Sequence, residues 1–178
     1  MSRLFGKVKT KLDLNGPTLS FTTNPVSVAS TGVGIGSTNG PSVTLTGIAT
    51  AGFAHTAVNK GAIAYQWYEN TLGKLSDGEK YNGTNTTTLT VSNIITPTDD
   101  GTEYFLEADY VPGQPDARTG NALNEPLNSG IATVTVTPLI DIISQPSSVA
   151  TIQNIDATFT ISAQLTNGST GGISYQWQ

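Results

Sequence analysis

The residues with the strongest claim to chemistry are Asp99, Asp100 and Glu103, the densest group of acids in the chain. General acid–base work needs two carboxylates facing one substrate, but adjacent residues on a strand point to opposite faces. A hard cation would want several oxygens at regular loop spacing, and that spacing is absent around Asp99 and Asp100. His55 is the single histidine and there is no cysteine, so a His-rich metal centre, a Ser/His triad, thiolate zinc and disulfides all fall away. His55 lies between Ala54 and Thr56, the setting of a solvated or locally hydrogen-bonded imidazole. Gly32-Val33-Gly34-Ile35-Gly36 has the glycine spacing of a phosphate loop. However, the strand-like Ser42-Val43-Thr44-Leu45-Thr46 follows it, so no helix N-terminus waits for an anion. Asn82-Gly83-Thr84, Asn85-Thr86-Thr87 and Asn167-Gly168-Ser169 match the glycosylation pattern and read more simply as turns. Tyr68 and Tyr81 are the one aromatic pair expected to be exposed, as a sugar-binding face would require. The expectation is no catalytic residue, no cofactor, no metal, no nucleic acid and no membrane insertion.

The elements behind these residues are strands. Tyr65-Gln66-Trp67-Tyr68 alternates at period two, and Tyr175-Gln176-Trp177-Gln178 repeats it near the other end. A Trp inside such a strand is a core anchor. Around the first tetrad the predicted strands are Leu19 to Thr22, resumed after Asn24-Pro25; the Leu45 strand; and Ala62 to Tyr68. They continue with the Leu89/Val91 strand, Glu103 to Tyr110, and Ile131 to Val136. A strand interrupted by Pro belongs at a sheet edge. Thr96-Pro97-Thr98-Asp99-Asp100-Gly101 is a tight corner, and residues 111–129 form a long loop. A second start follows: Gln145-Pro146 echoes Asn24-Pro25, Thr158 to Ala163 echoes the Leu45 strand, and Tyr175-Gln176-Trp177 closes it.

Charge is uneven. Only 12% of residues are charged and the net is -5. Arg3, Lys7, Lys9 and Lys11 are half of the eight basic residues; beyond Leu12, four basic residues stand against thirteen acidic ones. Val8, Thr10, Leu12 and Leu14 alternate with Lys9, Lys11 and Asp13, as a strand that pairs only in company would. A basic arm on an acidic body reads as a tether to an acidic protein surface. No apolar run spans a bilayer, and no secretory h-region follows Met1 to Lys7, so a cytoplasmic translation start is expected.

The order of these strands, Trp67 in the third and Asp100 four residues before Tyr104, resembles an immunoglobulin-like domain. The resemblance implies an all-β fold. It predicts tandem sandwiches of about seven antiparallel strands each, without disulfides, after a short N-terminal arm. The boundaries are 1–16 for the arm, 17–138 for the first sandwich and 139–178 for the first strands of a second, truncated one, with the polypeptide expected to continue. Gly47 and Leu106 stand where the sheet-linking cysteines would be. Tyr104 is the tyrosine-corner position, its hydroxyl expected to bond back to the main chain. The expected core is Trp67, Tyr104, Leu45, Leu89, Leu106, Phe159 and Trp177. The motifs Gln-Pro-Ser-Ser-Val, Tyr-Gln-Trp, Ser-Asp-Gly, Thr-Leu-Thr-Val-Ser-Asn-Ile and Asp-Asp-Gly resemble bacterial and bacteriophage immunoglobulin-like repeats. That resemblance implies a non-enzymatic virion protein of a tailed phage, of tail- or baseplate-fibre type, assembled in the host cytoplasm. Its partners would be other virion proteins through residues 1–16, with a homo-oligomer in the particle. The alternatives are a carbohydrate or cell-surface adhesin module, with host glycans meeting residues 111–129, and a capsid decoration protein.

Overall fold

The computed structural model describes residues 17–52, 61–111, 125–166 and 172–178. The arm with Arg3, Lys7, Lys9 and Lys11, His55, most of the 111–129 loop and Asn167 lie outside the described residues.

Every regular element among the described residues is a strand. The first module holds β1 (Thr18–Thr23), β2 (Val28–Gly32), β3 (Val43–Thr46), β4 (Ile48–Gly52), β5 (Ala62–Glu69) and β6 (Gly73–Lys74). It continues with β7 (Tyr81–Asn82), β8 (Thr88–Val91), β9 (Thr102–Val111), β10 (Leu127–Asn128) and β11 (Ala132–Pro138). One layer carries the β1–β4 pair and the β3–β8–β7 sheet; the other runs β2–β11–β9–β5–β6, with β10 also on β9. All pairings are antiparallel except β2 on β11, which is parallel. This is an immunoglobulin-like β-sandwich.

The Pro25 break is what lets one predicted strand serve both layers. β1 pairs with β4 through Thr23, and β2 then pairs with β11, each having a single strand neighbour. Proline has no N–H to leave unpaired at the crossing. The polar residues beside it hold the crossing in place: Asn24 Oδ1 accepts from Gly130 N at 2.9 Å and Ser27 Oγ from Thr133 N at 3.0 Å.

β5 and β9 form the long central pair, in register from Ala62 opposite Val111 to Glu69 opposite Tyr104. Because side chains alternate, Tyr65, Trp67, Leu106 and Ala108 face inward together. Trp67 is fully buried, with Leu45, Leu89, Leu106 and Tyr104 around it. Its indole N–H is satisfied by Thr86 O at 2.9 Å, so the burial leaves no donor unpaired. Gly47 lies between β3 and β4 with its N–H on Thr87 O at 2.8 Å; a Cβ there would meet Leu106 Cδ2 at 2.8 Å and Pro25 Cδ at 3.3 Å. Leu106 thus fills the volume that a side chain at position 47 would need. The pair expected in place of two cysteines does meet, one residue empty and the other full.

The second module repeats the opening of the first. β12 (Ile140–Ser144) pairs with β13 (Ser162–Leu165). A register shift falls between Ile142 and Ser144, as it does between Phe21 and Thr23. Tyr65 Oη takes Ala49 N at 3.1 Å and gives to Ala49 O at 3.2 Å; Tyr175 Oη takes Ala163 N at 3.2 Å. Gln66 and Gln176 each donate from Nε2 to the following Trp carbonyl at 2.9 Å. Phe159 and Trp177, expected in the core, are instead 50% and 54% exposed, their rings 6.4 Å apart. The reason is cover: Trp67 is covered from the other layer by Leu45 of β3 and Leu89 of β8, and no described strand lies over Phe159 and Trp177. For the same reason residues 175–178 join no strand ladder, although Ala62–Glu69 does.

Gly47→Ala should destabilise by about 1–3 kcal/mol through overpacking, and Leu106→Ala by about 2–5 kcal/mol through a cavity. Combined, the two should cost less than their sum, because the new methyl enters the vacated space. Urea unfolding of the four variants in the cycle measures the coupling; strict additivity would contradict the packing described.

Candidate functional site

Two side-chain groups concentrate the polar chemistry of the first module. One is at the corner leading into β9. Asp99 is buried, and its Oδ2 accepts from Lys80 Nζ and from Ile95 N, both at 2.6 Å. Lys80 Nζ also gives to Asn93 O at 2.9 Å. Asp100 points the other way and takes Val136 N at 2.8 Å, tying the corner to β11. The two acids therefore have separate structural work, and the carboxylate considered for a cation is already held by an ammonium and an amide. Gly101 has φ 78, a left-handed conformation at the end of the tight corner, and its N–H bonds Val134 O at 2.9 Å. Among the described residues no three His, Cys, Asp or Glu groups converge as metal ligands would.

Tyr104 departs from expectation. Its ring stands edge-on to Tyr81 at 6.3 Å, and its hydroxyl engages the Tyr81 side chain rather than the main chain. Tyr81 in turn donates to Glu69 Oε2 at 3.0 Å, and Thr71 Oγ1 donates to Glu69 Oε1 at 2.7 Å. The corner tyrosine is captured by a side chain from β7, 23 residues earlier, which local spacing does not reveal. Burial, above all, pushes the Tyr81 phenol up to about 12, and burial then the Tyr81 neighbour push Tyr104 higher still.

The second group is the outer face of β5 and β9. Here Ala62, Ala64, Gln66 and Tyr68 lie opposite Val111, Asp109, Glu107 and Phe105. Tyr68 stacks on Phe105 at 5.1 Å with ring planes 4° apart, and its hydroxyl gives to Glu107 Oε1 at 3.2 Å. Desolvation and then the Glu107 carboxylate raise its pKa. Asn70 Nδ2 holds Glu103 Oε2 at 2.8 Å. Tyr68 and Tyr81, expected to be exposed together, are half-buried and sit in different groups. Gln66 turns off this face over the strand edge, giving to Leu75 O at 2.9 Å. Asp77 Oδ1 takes Thr84 N at 2.8 Å, which is what chiefly lowers its pKa. No sequence signal pointed to Gln66 or Asp77; a buried amide closing a strand edge is recognised only once its carbonyl partners are adjacent.

The sign of the tyrosine shifts fixes a pH dependence. Tyr81 and Tyr104 hold their protons more tightly folded than unfolded, so their contribution is complete below the ordinary value of 10.0. It is lost as pH rises from there through about 12. Urea midpoints should hold steady to about pH 9 and fall steeply by about pH 11, and Tyr81→Phe should flatten the decline. A midpoint indifferent to pH over that range would contradict the buried phenol pair.

No family model matches the chain, and no curated protein matches it. Solved structures do. The titin M4 domain is 18% identical with a TM-score of 0.43, over 68% of this chain and 98% of that one. Sidekick-1 immunoglobulin domains 1–5 are 18% identical with a TM-score of 0.44, over 75% of this chain and 22% of that one. The titin I9–I11 tandem is 20% identical with a TM-score of 0.40, over 72% and 36%. The assignment of the fold rests on the strand order and core given above.

Proposed function

We propose that the chain is a structural, non-enzymatic component of a tailed-phage virion, of tail- or baseplate-fibre type. Its immunoglobulin-like modules set a fixed spacing, and residues 1–16 anchor it to neighbouring virion proteins. The virion setting rests on the resemblance of the Gln-Pro-Ser-Ser-Val, Tyr-Gln-Trp and Asp-Asp-Gly motifs to phage repeats. The spacer role rests on one observation, the joint between modules. β11 ends at Pro138 and β12 begins at Ile140, so Leu139 alone links them. Thr166, just past β13, closes the joint: its Oγ1 takes Leu139 N at 3.0 Å and gives to Gly32 O at 3.1 Å, while its N–H gives to Leu139 O at 2.8 Å. Flexible linkers are longer and free of such bonds. A single residue fastened on both sides holds two modules at a set angle, as a spacer requires.

Thr166→Val removes both hydroxyl bonds, worth about 1 kcal/mol each at most in this exposed setting. The distribution of distances between spin labels on β8 and β12 should broaden markedly, with the unfolding midpoint of the first module unchanged. An equally narrow distribution in the variant would remove the joint from the argument.

The stacked Tyr68–Phe105 pair favours a second reading, a carbohydrate-binding face. A glycan array with the full chain and with Tyr68→Ala tests it. Specific binding lost in the variant would support it, and an array without signal would dismiss it.

A further inference from the structure

We infer that the edge of β5 is the docking site for residues 1–16 of a second copy of this chain, added as an extra strand. The inference rests on the anchoring role given to that arm and names its partner. Three independent features meet there. The first is an open edge. Trp67 turns its backbone away from β9, its N–H to Thr84 O at 2.8 Å and its carbonyl to Leu75 N at 3.0 Å. Tyr65 and Ile63 turn theirs to the same side by strand alternation, and among the described residues β6 reaches only as far as Tyr68. Among the described residues, two residues' worth of ladder groups on this edge have no strand partner and could take an added strand.

The second feature is charge. On the outer face just behind this edge, Glu107 and Asp109 follow one another two residues apart on β9. Between them and the edge stand only Gln66, folded away, and the small, exposed Ala62 and Ala64. A lysine stem on an added strand would cross those alanines and set its ammonium beside the carboxylates. The cation placed on this face among the described residues, Lys74, lies across from Tyr68, farther along the strand.

The third feature is the arm itself. Arg3, Lys7, Lys9 and Lys11 are all odd-numbered, whereas Leu4, Val8, Leu12 and Leu14 are all even. As a strand it would put the four cations, with Phe5 and Asp13, on one face and Leu4, Val8, Leu12 and Leu14 on the other. Its lysines repeat at the two-residue period of Glu107 and Asp109, and its apolar face falls beside the half-buried Ile63 and Tyr65. β1 belongs to the other layer, paired with β4, so the same copy's arm would have to leave that layer to reach this edge; the mass of the species formed separates the two occupants. The contact is head-to-tail, so it propagates into a chain or closes into a ring.

Sedimentation of the full chain tests this. Association should grow with concentration and weaken at high salt. The triple variant Lys7→Glu, Lys9→Glu, Lys11→Glu should lose tenfold or more in association constant, as should Glu107→Lys with Asp109→Lys. Mixing the two variants should restore association, since each supplies the reversed half of the other; unchanged Trp67 emission certifies the fold. A chain monomeric at every concentration, a salt-dependent change of shape without change of mass, or association indifferent to Glu107→Lys with Asp109→Lys would overturn the inference. Incorporation into particles separates it from the anchoring role. A monomeric wild type that still requires its lysines to join particles sinks the second-copy site alone. A chain that self-associates through the arm yet joins particles without those lysines sinks the anchoring role alone.

Discussion

Trp67 and Leu106 sit opposite one another on β5 and β9, and they centre the apolar packing that joins the layers, with Leu106 filling the space over Gly47. With no cysteine in the chain, nothing covalent supplements it. The magnitudes show that nothing need. A native disulfide in a small domain contributes about 2–5 kcal/mol. Truncating a fully buried Trp or Leu costs about as much. Packing can therefore stand in for the covalent link only if the volume is filled without a void, and this explains the asymmetry of the site. Two medium side chains at 47 and 106 would collide; one leucine facing a glycine closes the gap.

Packing of this kind is non-directional, so something else must select the register. Here it is polar and sits at the rim. Lys80 joins the approach to β7 to the Asp99 corner, Asp100 joins that corner to β11, and Gln66 ties β5 to the Leu75 carbonyl. Each leaves a buried group unpaired if a strand slips by one residue, and an unpaired buried group costs about 1–3 kcal/mol. The ion pair is partly exposed on the lysine side, so its value lies more in geometry than in energy. Thr84 Oγ1 is the exception, a buried hydroxyl oxygen with no partner in this structure. The backbone of the same residue is heavily used, its N–H by Asp77 and its carbonyl by Trp67, and that fixes the side chain where no acceptor exists.

What could be read from the sequence was whatever depends on neighbours along the chain. Period-two alternation placed Leu45, Trp67, Leu89, Tyr104 and Leu106 on inward faces, Pro25 marked a break in an edge strand, and Gly101 ended a tight corner. What could not be read depends on which distant side chain arrives. The Tyr104 hydroxyl meets Tyr81 rather than the main chain, and Tyr68 is shielded by Phe105. Thr166 finds Gly32 across 134 residues. None of these partners is announced by spacing, because each is set by the crossing of two strands whose separation in sequence is arbitrary. Phe159 and Trp177 show the converse. They were expected in inward-facing strands, yet neither lies in a strand here and both are half exposed, because strand pairing and burial belong to the assembled pair of sheets and not to the residue.

The second module separates these two levels physically. It reproduces the register shift of the first module's opening pair, the tyrosine clamp on an alanine backbone and the glutamine turned onto the next carbonyl. It does so while its two largest rings remain half in water. Those local devices therefore do not require a closed core. They are short-range bonds that shape these strands locally. In the first module the same devices surround Trp67, and there the opposing sheet covers it. Hydrogen bonds thus set where strands lie, and burial decides how firmly they stay.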